Sequence, residues 1–218
     1  MNPEFVMNLA VTCTLALTVG ACPSLAQERW VVQDNELIFD MGVPYRDAPD
    51  DVGLIKRDVE EFKLVIMENP AVDTIVVSGR GGYGPAGDEI ADSILNFGFH
   101  TRAFGDCLSA CTRIFLAGDI RRLSPEASLG FHRPYVLREE EQAYYLAHRM
   151  NRGWQDEFDY VEFIYDVGLV DMLENVEFMV SRGVAFDFIA QAYSYSSFEM
   201  WRPEVEVLLA SGVVTVLE

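Results

Sequence analysis

A chain of 218 residues, half of them hydrophobic, is long enough for one domain with its own core, and 35 acidic against 16 basic residues give it a formal charge of −19. That charge repels phosphate backbones and anionic surfaces, so no nucleic-acid partner is expected.

The amino-terminal residues read as an export signal over residues 1–26. Leu9 to Ala21 is an apolar run too short to span a membrane comfortably, and Ser24-Leu25-Ala26 supplies a small-x-small pattern for cleavage before Gln27. A periplasmic or otherwise exported protein is therefore expected. No Lys or Arg precedes the run, and Met7 offers a second start. Val19-Gly20-Ala21-Cys22 also resembles a lipoprotein box, in which the signal would end at 21 and a lipidated Cys22 would anchor the chain to a membrane. Residues 27–218 show no repeat and no linker, and read as a single domain.

Arg29 to Gln33 and Glu36 to Phe39 predict two short strands around an Asp34-Asn35 turn, and Met41 to Pro49 a loop. Asp51 to Glu68 carries Val52, Ile55, Val59, Phe62, Val65 and Ile66 at helical spacing. Thr74-Ile75-Val76-Val77 is a β-branched run of the kind buried on both faces of a parallel sheet. Strand, helix, strand in that order predicts an α/β unit.

Ser78-Gly79-Arg80-Gly81-Gly82-Tyr83-Gly84 follows at once, then a helix over Asp88 to Leu95, with His100 taken as its close. The loop matches neither the dinucleotide fingerprint nor a P-loop, since no Lys follows the glycines. Two readings stay open: a flexible turn, and a donor site where the missing Cβ of Gly81 and Gly82 lets a substrate carbonyl approach backbone N–H groups.

Thr101 to Phe104 predicts a strand, Gly105-Asp106 a break, and Leu108 to Ala117 a buried helix. Ser109 then falls in a first helical turn, where unpaired N–H groups and the helix dipole favour negative charge. An attacking serine wants that position, and so does an ordinary N-cap serine. Cys107 and Cys111 flank it. Residues four apart on a regular helix hold their Cβ atoms about 5–6 Å apart, against about 3.5–4.5 Å in a disulfide. A bridge therefore needs Cys107 outside the helix; the alternative is two buried free thiols.

Arg122 to Leu123 and Ala127 to Phe131 predict strand, ending in Gly130-Phe131-His132-Arg133-Pro134, where His132 is either delivered to a cleft or simply capped. Leu137 to Asp166, with Tyr144, Tyr145, Trp154, Phe158, Tyr160 and Phe163, predicts one long amphipathic helix against the body or a neighbouring subunit. Val167 to Val180, Phe186 to Tyr193 and Arg202 to Ser211 predict further helices, and Val213 to Leu217 a last strand.

Taken in order, the strand into a Gly-Gly turn, the serine turn Cys107-Leu108-Ser109-Ala110-Cys111-Thr112 and the strand ending in His132-Arg133-Pro134 resemble the Clp protease proteolytic subunit (ClpP) and its crotonase-like relatives. Exported bacterial Clp-like proteins with Cys on both sides of the serine are similar as well. The resemblance covers Thr74 to Pro134, with an echo over Glu204 to Thr215. It implies an α/β, ClpP/crotonase-like repeated ββα spiral with a mainly parallel sheet and extra C-terminal helices. It implies a serine hydrolase, a peptidase on peptide or small acyl substrates, with Ser109 as nucleophile, His132 as general base and the N–H groups of Gly81 and Ala110 as oxyanion hole. A homo-oligomer is expected, and no metal or cofactor. Two departures stand out: Gly79-Arg80 replaces the family's Ser-Pro, so that Arg80 could recognise a carboxylate, and Glu199 is the one acid in the window of the family's third catalytic residue. The rival expectation is a non-catalytic envelope binding or assembly protein that keeps the scaffold and uses the Leu137 to Asp166 helix as its contact surface.

Overall fold

A computed structural model of the protein describes residues 28–218. The expected export signal, with Cys13 and Cys22, lies outside them.

The strands β1 (Trp30–Gln33) and β2 (Glu36–Asp40) form an antiparallel hairpin that turns on Asp34, at φ 55°. From β2 onward every pairing is parallel. The sheet order is β1-β2, then β3 (Thr74–Gly79), β4 (His100–Leu108), β5 (Arg121–Leu123) and β7 (Val216–Leu217), with β6 (Ser128–Gly130) paired to β4 off this path. The class is α/β with a mostly parallel sheet. Ile75, Val76 and Val77 of β3 are buried, as their β-branched run predicts. The helices α1 (Arg57–Glu68), α2 (Gly84–Phe97) and α3 (Ala110–Leu116) contribute Phe62, Ile90, Ile94, Ile114 and Phe115 to one core.

The central strand departs from expectation. Gly105-Asp106 does not break it: β4 runs on to Leu108 and bends instead, with Gly105 at φ 56°. Its first half, Thr101–Ala103, pairs with β5, and its second half, Asp106–Leu108, with β6. Against β3 the register jumps from Val77↔Ala103 to Gly79↔Cys107. One kinked strand thus serves two neighbours, β5 and β6, besides β3, and its far end is delivered beside the Gly79–Gly82 loop.

Other boundaries move for identifiable reasons. The helix α1 starts at Arg57 rather than Asp51, because the Asp58 carboxylate turns inward and accepts the Ile55 N–H at 2.8 Å. Gly98 closes α2 in the left-handed conformation, so His100 opens β4 rather than closing a helix. The long helix expected over Leu137 to Asp166 is two helices, α4 (Arg138–Arg152) and α5 (Glu157–Ser181). Gly153, at φ 76°, ends the first, and Asp156 caps the second by accepting the Phe158 and Asp159 N–H groups. The expected stop near Asp166 is absent, and α5 continues through Gly168. Two short helices follow, α6 (Phe186–Ser194) and α7 (Val205–Ala210).

The carboxy-terminal elements are gathered by a buried cation. Among the described residues no carboxylate pairs with Arg121; its guanidinium donates to the carbonyls of Gly118, Arg182, Gly212 and Val213, which lie just past the carboxyl ends of α3, α5 and α7. Those negative dipole ends take the place of a counter-ion. Burial pulls its pKa down to about 10, which leaves it charged at neutral pH.

Candidate active site

The Gly79–Gly82 segment is not a flexible turn. Leu54 donates its N–H to Gly81 O at 2.7 Å and accepts the Tyr83 N–H at 2.8 Å, so the loop is stitched to a neighbouring strand-like segment. That segment is itself held from below. Arg29, buried, pairs with the fully buried Asp58 at 2.6 Å and donates to Val43 O at 2.7 Å and Gly53 O at 2.5 Å, while the Tyr45 hydroxyl donates to Asp58 at 2.8 Å. Burial, above all, pushes the Tyr45 phenol up to about 12, so it stays a donor to Asp58. In the sequence Asp58 is one acid among several on the helix expected over Asp51 to Glu68; only its burial reveals the clamp.

Gly81 carries the requirement for glycine. Its φ is +76°, and a Cβ there would come 2.5 Å from Leu108 O, 2.7 Å from Ala110 N and 3.1 Å from Ser109 Cβ. The backbone of Gly81 therefore lies directly against the serine turn. Among the described residues, no acceptor takes the N–H of Gly81 or of Ala110.

Ser109 occupies the sharp turn between β4 and α3 at φ 55°, ψ −126°. For a residue with a side chain such a conformation costs about 1–3 kcal/mol and persists only where the surroundings enforce it. Three things do so. The Ser109 N–H donates to Gly130 O at 2.9 Å, its carbonyl accepts the Thr112 N–H and hydroxyl at 2.8 and 2.7 Å, and a disulfide joins Cys107 to Cys111 across it with 5.2 Å between the Cα atoms. Cys107 lies on the strand, outside the helix, as a bridge needs, so the free-thiol alternative falls away. Ser109 stands at the N-cap position of α3 yet makes no capping bond. Its hydroxyl instead meets His132 Nε2 at 2.7 Å, twenty-three residues on.

His132 follows β6 and is bracketed by the segment from Tyr195 to Trp201. Phe131 and Trp201 exchange N–H···O bonds of 2.9 Å, and Arg133 donates to Tyr195 O through its N–H at 3.3 Å and its Nε at 3.1 Å. His132 Nδ1 is buried and has no hydrogen-bond partner among the described residues. Glu199, in the same segment, is turned elsewhere: it accepts from the Ser196 hydroxyl at 2.9 Å and the Ser196 N–H at 3.3 Å. The serine and histidine are thus brought together, with Gly81 and Ala110 beside the serine, while the Glu199 carboxylate is engaged with its own turn.

An ion pair the sequence did not suggest sits next to the turn. Arg202 donates to Asp106 through two nitrogens, at 2.6 and 3.0 Å, and the Ser128 hydroxyl donates to it at 2.7 Å. These bonds hold the Asp106 carboxyl down at about 2, below its ordinary 3.8. They tie β4, β6 and the approach to α7 together on the exposed side of the site. Among the described residues no group of three or more His, Cys, Asp or Glu gathers as a metal site would require, and no helix is long and apolar enough to cross a membrane.

No protein-family model and no curated protein matches the chain. Its fold is similar to that of solved structures of ClpP1 from Listeria monocytogenes. One aligns at a TM-score of 0.53 and 14% identity, over 76% of this chain and 86% of that one. A point mutant of ClpP1 from the same organism aligns at 0.53 and 15% identity, over 85% and 91%. The chain therefore has a ClpP-like fold.

Proposed function

We propose that the protein is an exported Clp-like serine hydrolase, a peptidase that works through an acyl-enzyme at Ser109. The observation that carries the reading is the 2.7 Å approach of His132 Nε2 to Ser109 Oγ at a strained strand-to-helix turn. His132 takes the Ser109 proton as Oγ attacks a substrate carbonyl, and returns it to the leaving group as the tetrahedral intermediate collapses. Water then releases the acyl group by the same path in reverse. The N–H groups of Gly81 and Ala110 stabilise the oxyanion, each worth about 2.7–4 kcal/mol of barrier.

The machinery is a Ser-His dyad. For Nε2 to act as base, the ring proton must sit on Nδ1, where it meets no acceptor among the described residues, and a buried donor left unpaired costs about 1–3 kcal/mol. Slow turnover follows. The exposed apolar side chains of α5, among them Phe158, Tyr165, Leu169 and Leu173, support a second role for the α4–α5 arm as the contact surface of a homo-oligomer, and this feature is shared with the non-catalytic reading. Hydrolysis of activated esters and short peptides separates the two. The enzyme reading requires turnover that Ser109→Ala abolishes; turnover equal in both proteins, or none in either, leaves the assembly reading.

A further inference from the structure

Next to the Gly81 backbone in the chain stands a cation that forms no hydrogen bond or ion pair among the described residues. Arg80 lies between Gly79 and Gly81, so it is one residue from the backbone that touches Ser109 and Ala110. Its position is built rather than loose. Ser78 O accepts the Met41 N–H at 2.9 Å and Gly81 O accepts the Leu54 N–H at 2.7 Å, on either side of it. A Cβ on Gly79 would come 2.5 Å from Met41 Cβ, so the preceding step is also packed tight. The side chain is exposed, and among the described residues no carboxylate, carbonyl or aromatic ring engages its guanidinium.

In a chain with 35 acidic residues against 16 basic ones, a guanidinium without a partner among the described residues, on the residue before Gly81, is notable for what is absent around it. Asp106 feels the Arg80 charge but is already satisfied by two nitrogens of Arg202 and by the Ser128 hydroxyl. Arg80 is thus left with its planar fork of donors, the geometry that takes a carboxylate through two parallel bonds. The overall charge of −19 does not forbid an anionic ligand, because at physiological salt charges more than about 8 Å away are largely screened and the local cation decides. Arg80 directly precedes Gly81 in the chain, and because an extended peptide advances about 3.3 Å per residue, its long side chain has the reach to meet a group about two residues from the bond under attack.

We infer that Arg80 selects substrates carrying a free carboxylate within about two residues of the bond cleaved at Ser109. The inference rests on the serine-hydrolase reading, and its test separates the two. Two fluorophosphonates are compared, one with a carboxylate placed about two residue lengths from phosphorus and one with the primary amide in its place, and the rate of Ser109 adduct formation is followed by mass spectrometry. The carboxylate probe reacts about fivefold faster than the amide probe in the wild type, the effect of one exposed charge-assisted contact. The ratio falls to about one in Arg80→Ala and is partly restored in Arg80→Lys. A wild-type ratio of one, or a ratio unchanged in Arg80→Ala, overturns the selectivity while leaving the hydrolase standing. No adduct with either probe overturns both.

Discussion

His132 Nε2 lies 2.7 Å from Ser109 Oγ, although the two residues leave different strands, β6 and β4, and are joined only because β4 bends to pair with β6 at its far end. The bend, the Gly81 platform and the Cys107–Cys111 bridge all act on the same turn, and each makes a prediction.

Gly81→Ala tests the platform. A methyl group there would press on Leu108 O and Ala110 N at a φ of +76°, so both the loop and the serine turn must shift. The expected result is a stability loss of about 1–3 kcal/mol in chemical denaturation and a fall of at least tenfold in acylation of Ser109. Wild-type behaviour in both assays would show that the loop does not shape the site.

The disulfide spans only residues 107–111, so the chain-entropy account gives it roughly 2 kcal/mol. Both cysteines are fully buried. Cys107→Ala with Cys111→Ala should lower stability by about that amount and slow Ser109 acylation, since one of three restraints on the strained turn is gone. Unchanged thermal stability and unchanged acylation would remove any role of the bridge in presenting the serine.

Asp58→Ala leaves Arg29 buried without its counter-charge, which costs about 3–5 kcal/mol. Urea denaturation should read that loss. Arg29→Met combined with Asp58→Leu should recover much of it, because both buried charges then go together. A single mutant as stable as the wild type would mean the pair does not anchor the 41–55 segment under Gly81.

Much of this was legible in the residues and some was not. The β-branched run of β3 and the helical spacing within α1 and α2 point directly to buried strand and helix, and Ser109 and His132 could be named because the order of the turns that carry them resembles the Clp protease subunit. The bend of β4 could not be read, because Gly105-Asp106 has the composition of a break and only the pairing of two different neighbours shows it to be a kink. The division between α4 and α5 was hidden by apolar and aromatic residues that continue across Gly153. Asp58 and Arg202 were invisible as partners for a simpler reason: ion pairs between residues 29 or 96 positions apart leave no local pattern.

Asp106 gives a pH dependence with a definite sign. Its folded-state pKa, about 2, is depressed from 3.8 by the bonds from Arg202 and Ser128. The stabilisation is therefore fully present above about pH 4 and is lost as the pH falls through about 2. Because the pair is half exposed, it is worth under ~1 kcal/mol. Arg202→Gln should lower the Tm slightly at pH 6, and the gap should narrow between pH 4 and pH 2. A gap that stayed constant over that range would contradict the assignment.

The central claim is that Ser109 is a nucleophile activated by His132. The most direct test is covalent labelling of the purified protein by a simple alkyl fluorophosphonate, with the adduct located by peptide mass spectrometry in the wild type, Ser109→Ala and His132→Ala. The account predicts an adduct on Ser109 in the wild type, none at that position in Ser109→Ala, and formation slowed by about a hundredfold or more in His132→Ala, the contribution of a positioned general base. Equal labelling of all three proteins, or none in the wild type, would contradict it.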